Sequence, residues 1–130
     1  MVFLFMLLQG LIIMPQTPSI DPARIEAEMA ADADVIRSLK ENGDVPTITR
    51  PVNIRFVGEA AAVAKLEADA GTLGLRVVQK TSDAQETALD VQKDQTTDPV
   101  AIRRLTEAAL QIEAQYGVRY DGWGTVATKR

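Results

Sequence analysis

The chain has 130 residues, of which 46% are apolar, 25% charged and 5% aromatic, enough for one domain with a real core but not for two ordinary domains. Eighteen acidic against 14 basic side chains leave a net charge of -4, which argues against nonspecific binding to nucleic acid or an anionic membrane and permits binding to a basic protein surface. Cysteine and histidine are both absent, which removes disulfides, thiolate zinc sites, cysteine nucleophiles and imidazole proton transfer.

The first 14 residues read MVFLFMLLQGLIIM, apolar except at Gln9 and Gly10. The run stops at Pro15, short of the ~20 residues that a membrane-spanning helix needs. The first basic residue is Arg24 and no small-residue cleavage pattern follows. A weak signal, a peripheral anchor and sequence upstream of a true start at Met14 are the three readings; the missing targeting features favour the last. Residues 1–20 are accordingly expected to be a leader and linker, and 21–130 a single domain.

Asp21-Pro22 has the chemistry of a helix start: the Asp side chain can cap free amides and Pro tolerates the first helical position. Ile25, Met29, Ile36 and Leu39 recur at helical spacing, Arg37 and Glu41 form an i,i+4 pair, and Asn42-Gly43 supplies the stop, so a helix is expected over 22–41. Val52, Ile54 and Phe56 alternate with Asn53 and Arg55 as a half-buried strand, opened or bulged at Pro51 and closed by Gly58. Val63, Leu66, Ala70 and Leu73 form a second helical stripe, broken by Gly71 and Gly74. A strand is expected from Leu75 to Lys80, with Leu75 and Val77 on one face, then a turn at Ser82-Asp83 and a third strand from Glu86 to Lys93, the two making a hairpin. The polar stretch Asp94 to Asp98 reads as a loop. Asp98-Pro99 opens a last helix with the stripe Leu105, Ala109, Ile112 and Tyr116, ended by Gly117, and Val118 to Val126 is the fourth strand.

The order after the first helix is βαββαβ. The expected class is therefore α+β: a ferredoxin-like sandwich, with a four-stranded antiparallel sheet ordered 4-1-3-2, two helices on one face and an extra N-terminal helix.

Catalytic equipment is sparse. Ser19, Ser38 and Ser82 lie in a leader, a helix and a turn with no motif around them. Asp32 and Asp34 point in different directions on a helix and read as a solvated face. Asp90 and Asp121 could approach across the sheet as oxygen ligands, though surface charges are the simpler reading. Gly71-Thr-Leu-Gly74 lacks the spacing and the Lys of a phosphate loop. The same scaffold can stack RNA bases on aromatics of its central strands, but the third strand has none and Phe56 shares the parity of the core; Arg55, Arg76 and Arg119 on the open face are offset by Asp90 and Asp121. No catalytic residue, cofactor or metal ligand is expected.

The segment YDGWGT, Tyr120 to Thr125, holds the only Trp between two glycines. Glycine permits a bulge or the close approach of another chain. Trp123 is either an exposed binding anchor or a plug against the first helix or a neighbouring loop. The plug carries more weight, because a lone Trp is usually highly buried. Tyr116 and Tyr120 read as core residues with wet hydroxyls.

The stretch YGVRYDGWGT, Tyr116 to Thr125, preceded by LTEAALQIEAQ, resembles the C-terminal signature of the RraB family, regulators of ribonuclease E activity. The resemblance spans roughly Asp21 to Thr125 and is most specific over the last twenty residues. It implies an acidic, bacterial, cytoplasmic, non-enzymatic protein of ferredoxin-like fold that binds ribonuclease E and lowers its RNA cleavage. Tyr120, Asp121, Gly122, Trp123 and Gly124 match the motif and are the expected partner-binding residues. Fold analogy alone offers a small-molecule sensor as the alternative, and a carboxylate metal enzyme after it.

Overall fold

A computed structural model describes residues 19–130, so the apolar run at 1–14 lies outside the described residues. Seven elements follow: α1 (Pro22–Glu41), β1 (Arg50–Gly58), α2 (Ala60–Asp69), β2 (Arg76–Ser82), β3 (Thr87–Gln95), α3 (Pro99–Tyr116) and β4 (Arg119–Gly124). The sheet is antiparallel, with strands in the order β2-β3-β1-β4, which is the expected 4-1-3-2 arrangement.

Both long helices start as their sequences dictate. Asp21 caps α1 by accepting from Ala23 N at 3.0 Å, and Asp98 caps α3 by accepting from Ala101 N at 3.1 Å, each with Pro in the first turn. Gly117 ends α3 in the left-handed conformation at φ 71°, where a side chain would be strained. Arg37 pairs with Asp34 instead of the expected Glu41; both spacings put the partners on the same helix face.

The helices α2 and α3 pack on one face of the sheet and α1 packs against α3. Val52, Ile54 and Phe56 of β1, Leu89 and Val91 of β3, Val63 and Leu66 of α2, and Leu105, Ala109 and Leu110 of α3 make the core. Each fully buried large aliphatic or aromatic side chain here stabilises the fold by about 1.5–3 kcal/mol relative to exposure.

The hairpin edge refines one expectation and corrects another. Leu75 and Val77 were expected on one face, and Val77 does pair with the core residue Val91, but Leu75 is buried while Val77 is 42% exposed. Leu73 was assigned to the second helical stripe, yet α2 ends at Asp69 and Leu73 sits in the turn beyond it, 37% exposed. β2 is an edge strand with a neighbour on one side only, and all seven of its residues are exposed. The turn itself uses Asp83, whose side chain accepts from Gln85 N and Glu86 N.

The stretch Asp94 to Asp98 is not a free loop. β3 continues to Gln95, and Thr97 is buried where its hydroxyl donates to Asp44 Oδ2 at 2.9 Å. Asp44 also accepts from Arg50 Nη1 at 2.8 Å and from Thr128 N at 2.7 Å. Arg50 in turn donates to the carbonyls of Ile48 and Val45. One buried carboxylate thus ties the α1–β1 loop, the end of β3 and the segment after β4.

Candidate functional site

The ribbon Tyr120–Gly124 forms most of β4, the second edge of the sheet. Ile54 pairs with Trp123 and Phe56 with Tyr120, so Asp121 and Gly122 together stand opposite Arg55 alone. That two-against-one count is a β-bulge, and Gly122 adopts φ 93°, a region that disfavours any residue with a Cβ.

The bulge has a geometric consequence. In an unbroken strand, residues two apart share a face and residues three apart do not, so Tyr120 and Trp123 would face opposite ways. The extra residue restores Trp123 to the face of Tyr120. Tyr120 is buried against Phe56 with ring centroids 5.9 Å apart, and Trp123 packs at the margin of the core. Asp121 remains exposed on the other side, while Gly122 and Gly124 are half-buried.

The indole is received by α1. Trp123 Nε1 donates to Asp32 Oδ1 at 2.8 Å, and Asp32 Oδ2 accepts from Thr106 Oγ1 of α3 at 2.6 Å. The expected solvated reading of Asp32 is therefore corrected: the residue is 5% exposed and links both helices to β4. The signal was present in the sequence. Asp32 lies between Met29 and Ile36 at three and four residues, on the apolar stripe itself, where a carboxylate requires buried donors.

A second bracket holds the outer backbone of the ribbon. Glu113 accepts from Tyr120 N at 2.8 Å, and Arg24 donates to Tyr120 O at 3.2 Å. Arg24 and Glu113 join through two hydrogen bonds of 3.2 and 2.8 Å, and Arg24 also pairs with Glu28. The Glu113 hydrogen bond, opposed by burial and joined by the charges of Glu113 and Glu28, holds the Arg24 guanidinium above its ordinary value. Burial pushes the Glu113 carboxyl up, but Arg24 and the Tyr120 amide outweigh it and hold it below the usual range.

The two tyrosine hydroxyls differ in their surroundings. Tyr116 donates to Asp69 at 2.6 Å in a half-buried position. The Tyr120 hydroxyl is instead buried near Thr106, without a hydrogen bond within ordinary geometry among the described residues. Burial pushes its hydroxyl pKa up, and the negative charge of Asp32 adds to the shift.

On the open face the charges pair off. Arg55 makes a two-pronged contact with Asp90 at 2.8 and 3.1 Å, Arg76 binds Asp94 at 2.9 Å, and Arg119 approaches Glu86 at 3.7 Å. Asp90 is thus committed to Arg55 and does not join Asp121 as a ligand pair. No group of three or more acidic side chains suited to a metal stands together among the described residues. A shallow concavity of about 340 Å³ runs along the ribbon, lined by Asn53, Arg55, Asp90, Asp121, Trp123 and the two glycines. It presents one exposed carboxylate, Asp121, beside the Arg55–Asp90 pair.

The two glycines should separate experimentally. Gly122→Ala is expected to cost about 1–2 kcal/mol, because Ala is strained at its φ. Gly124→Ala is expected to stay within about 0.5 kcal/mol, since a Cβ there meets nothing within 4 Å and its φ is not positive. Urea denaturation of both variants measures this; equal losses would refute the bulge as the reason for the motif.

No curated protein matches the chain. Residues 29–125 match the family described as RraB, regulator of ribonuclease activity B, a span that includes the bulged ribbon, Asp32, Thr106 and Glu113. The chain belongs to the RraB family of ribonuclease regulators.

Proposed function

We propose that this protein acts in the bacterial cytoplasm by binding a ribonuclease of the ribonuclease E kind and lowering its cleavage of RNA. The observation that carries this reading is the family match over residues 29–125. Two features support action by contact. Cysteine and histidine are absent from the sequence, and the described acidic side chains are spent on capping, ion pairs and buried hydrogen bonds or stand singly. No described helix is long and apolar enough to cross a membrane.

Within the motif, the roles divide by burial. Tyr120 and Trp123 anchor the ribbon from the core side. Asp121, with the backbone of Gly122 and Gly124, is the portion offered to a partner, and its carboxylate suits a basic surface. Capture of the tagged protein from its native bacterium should recover the ribonuclease, and Asp121→Lys should weaken that recovery. Repeated captures without the ribonuclease, together with RNA decay rates unchanged by deleting the gene, would refute the reading.

A further inference from the structure

The two edges of the sheet are finished differently. At β4, the N–H and C=O of Tyr120 are both taken by Glu113 and Arg24. At β2, every residue is exposed and no further strand pairs with it among the described residues. An uncovered edge offers unpaired backbone donors and acceptors, which proteins ordinarily blunt.

Exposed apolar side chains gather at the same edge. Of the five large exposed hydrophobic residues among those described, Leu73, Val77 and Val78 lie in or just before β2. Beside them the helix face holds a small apolar cavity of about 50 Å³, whose lining includes Leu73, Leu75, Ala108, Ile112 and Lys93. That volume admits a single aliphatic side chain and no larger ligand. The register shift between Val77 and Gln79 interrupts the edge, which limits it to one short added segment and discourages open-ended stacking.

We propose that the β2 edge captures an extended segment of the ribonuclease partner as a fifth strand, with one aliphatic side chain seated in the cavity at Leu73 and Leu75 and an acidic side chain meeting Lys93. The mode is strand addition: main-chain hydrogen bonds give affinity, and the pocket selects alternate side chains. Charge selects the occupant. Arg76 is held by Asp94 and Lys80 by Glu67, whereas Lys93 has no ion-pair partner among the described residues. A second copy would present its own β2, which carries two cations and no carboxylate, and residues 1–18 contain no acidic side chain either. This inference rests on the proposed ribonuclease partnership and assigns it a contact apart from Asp121.

The test uses the full chain and the purified ribonuclease. Leu73→Glu, Val77→Glu and Lys93→Glu should each weaken binding by about tenfold or more, while Lys93→Arg binds like the wild type. All three positions are exposed, so circular dichroism melts should stay close to wild type. Hydrogen exchange on the unaltered pair adds a readout free of folding effects: those amides between Val77 and Ser82 that point away from β3 should gain protection in the complex. Wild-type binding with unaffected variants and unprotected β2 amides would overturn the inference and leave the partnership standing. Failure of the wild type to bind the ribonuclease at all would overturn both. Dimerisation abolished by Val77→Glu, or β2 protection in the free chain that vanishes when residues 1–13 are removed, would give the edge to a second copy or to the chain's own N-terminus and overturn the inference likewise.

Discussion

Asp44→Asn is expected to lower the stability of the fold by about 3–5 kcal/mol, because it removes the carboxylate that neutralises a buried guanidinium. Arg50 and Asp44 have side chains only 4% and 2% exposed and meet at 2.8 Å. Asparagine keeps the size but leaves Arg50 charged, buried and unpaired. The double variant Asp44→Asn with Arg50→Met should recover much of the loss, since no ion is then left uncompensated. Urea melts of the single and double variants measure this coupling. A single-variant cost below about 1 kcal/mol would contradict the role of Asp44 as the tie between the α1–β1 loop, Thr97 and Thr128.

The same carboxyl sets a pH dependence. Burial alone would raise the Asp44 pKa, but the Thr128 amide, the Arg50 guanidinium and the Thr97 hydroxyl outweigh it and hold it below the usual carboxylate range. With a folded-state pKa below the unfolded value, the stabilisation is complete above the unfolded pKa of about 4 and is lost as pH falls through the depressed value. The stability gap between wild type and Asp44→Asn should therefore be constant near neutrality and narrow below about pH 4. A gap that widens on acidification would reverse the sign and refute the ion pair as its source.

Deleting Gly122 is expected to be as damaging, at about 3 kcal/mol or more, by a different route. Without the extra residue the strand returns to strict alternation. Trp123 then turns to the open face, Asp32 loses its 2.8 Å bond from the indole, and the core margin loses its largest side chain. Trp123 is the only Trp in the chain, so its fluorescence reports the flip without interference. The emission should shift to longer wavelength as the indole becomes wet, alongside a lower melting temperature. A deletion variant that keeps both the emission and the melting temperature of the parent would show that the bulge does not direct the indole.

The pattern rules worked where one force dominates. Period-two alternation at Val52, Ile54 and Phe56, helix stops at Gly43 and Gly117, and Asp-Pro starts at 21 and 98 each express local sterics or capping. Together they fixed the element order, from which the strand order follows. Local pattern cannot say how deeply an edge strand is covered: Leu75 is buried and Val77 is 42% exposed. Nor does it pair polar groups across distance. Asp32 with Thr106 and Trp123, and Asp44 with Arg50, Thr97 and Thr128, join residues from 6 to 91 positions apart.

The motif illustrates the division. Its residues were identified as a unit from the lone Trp and flanking glycines, and one of the two readings of Trp123 was a plug against the first helix. The indole does bond to that helix, through a carboxylate assigned to solvent. What the sequence could not supply was which glycine makes the bulge. Gly122 alone has positive φ within β4, so the second glycine of the pair has no steric requirement there.

A regulator of the proposed kind slows a ribonuclease by contact and does no chemistry on the RNA itself. The most direct measurement titrates the purified protein into a purified ribonuclease E-type enzyme cleaving a fluorogenic RNA. The rate should fall saturably, with a plateau near one regulator per binding site, and the protein alone should leave the RNA intact over the same period. A cleavage rate unchanged at large excess, with the two proteins eluting separately on gel filtration, would contradict it.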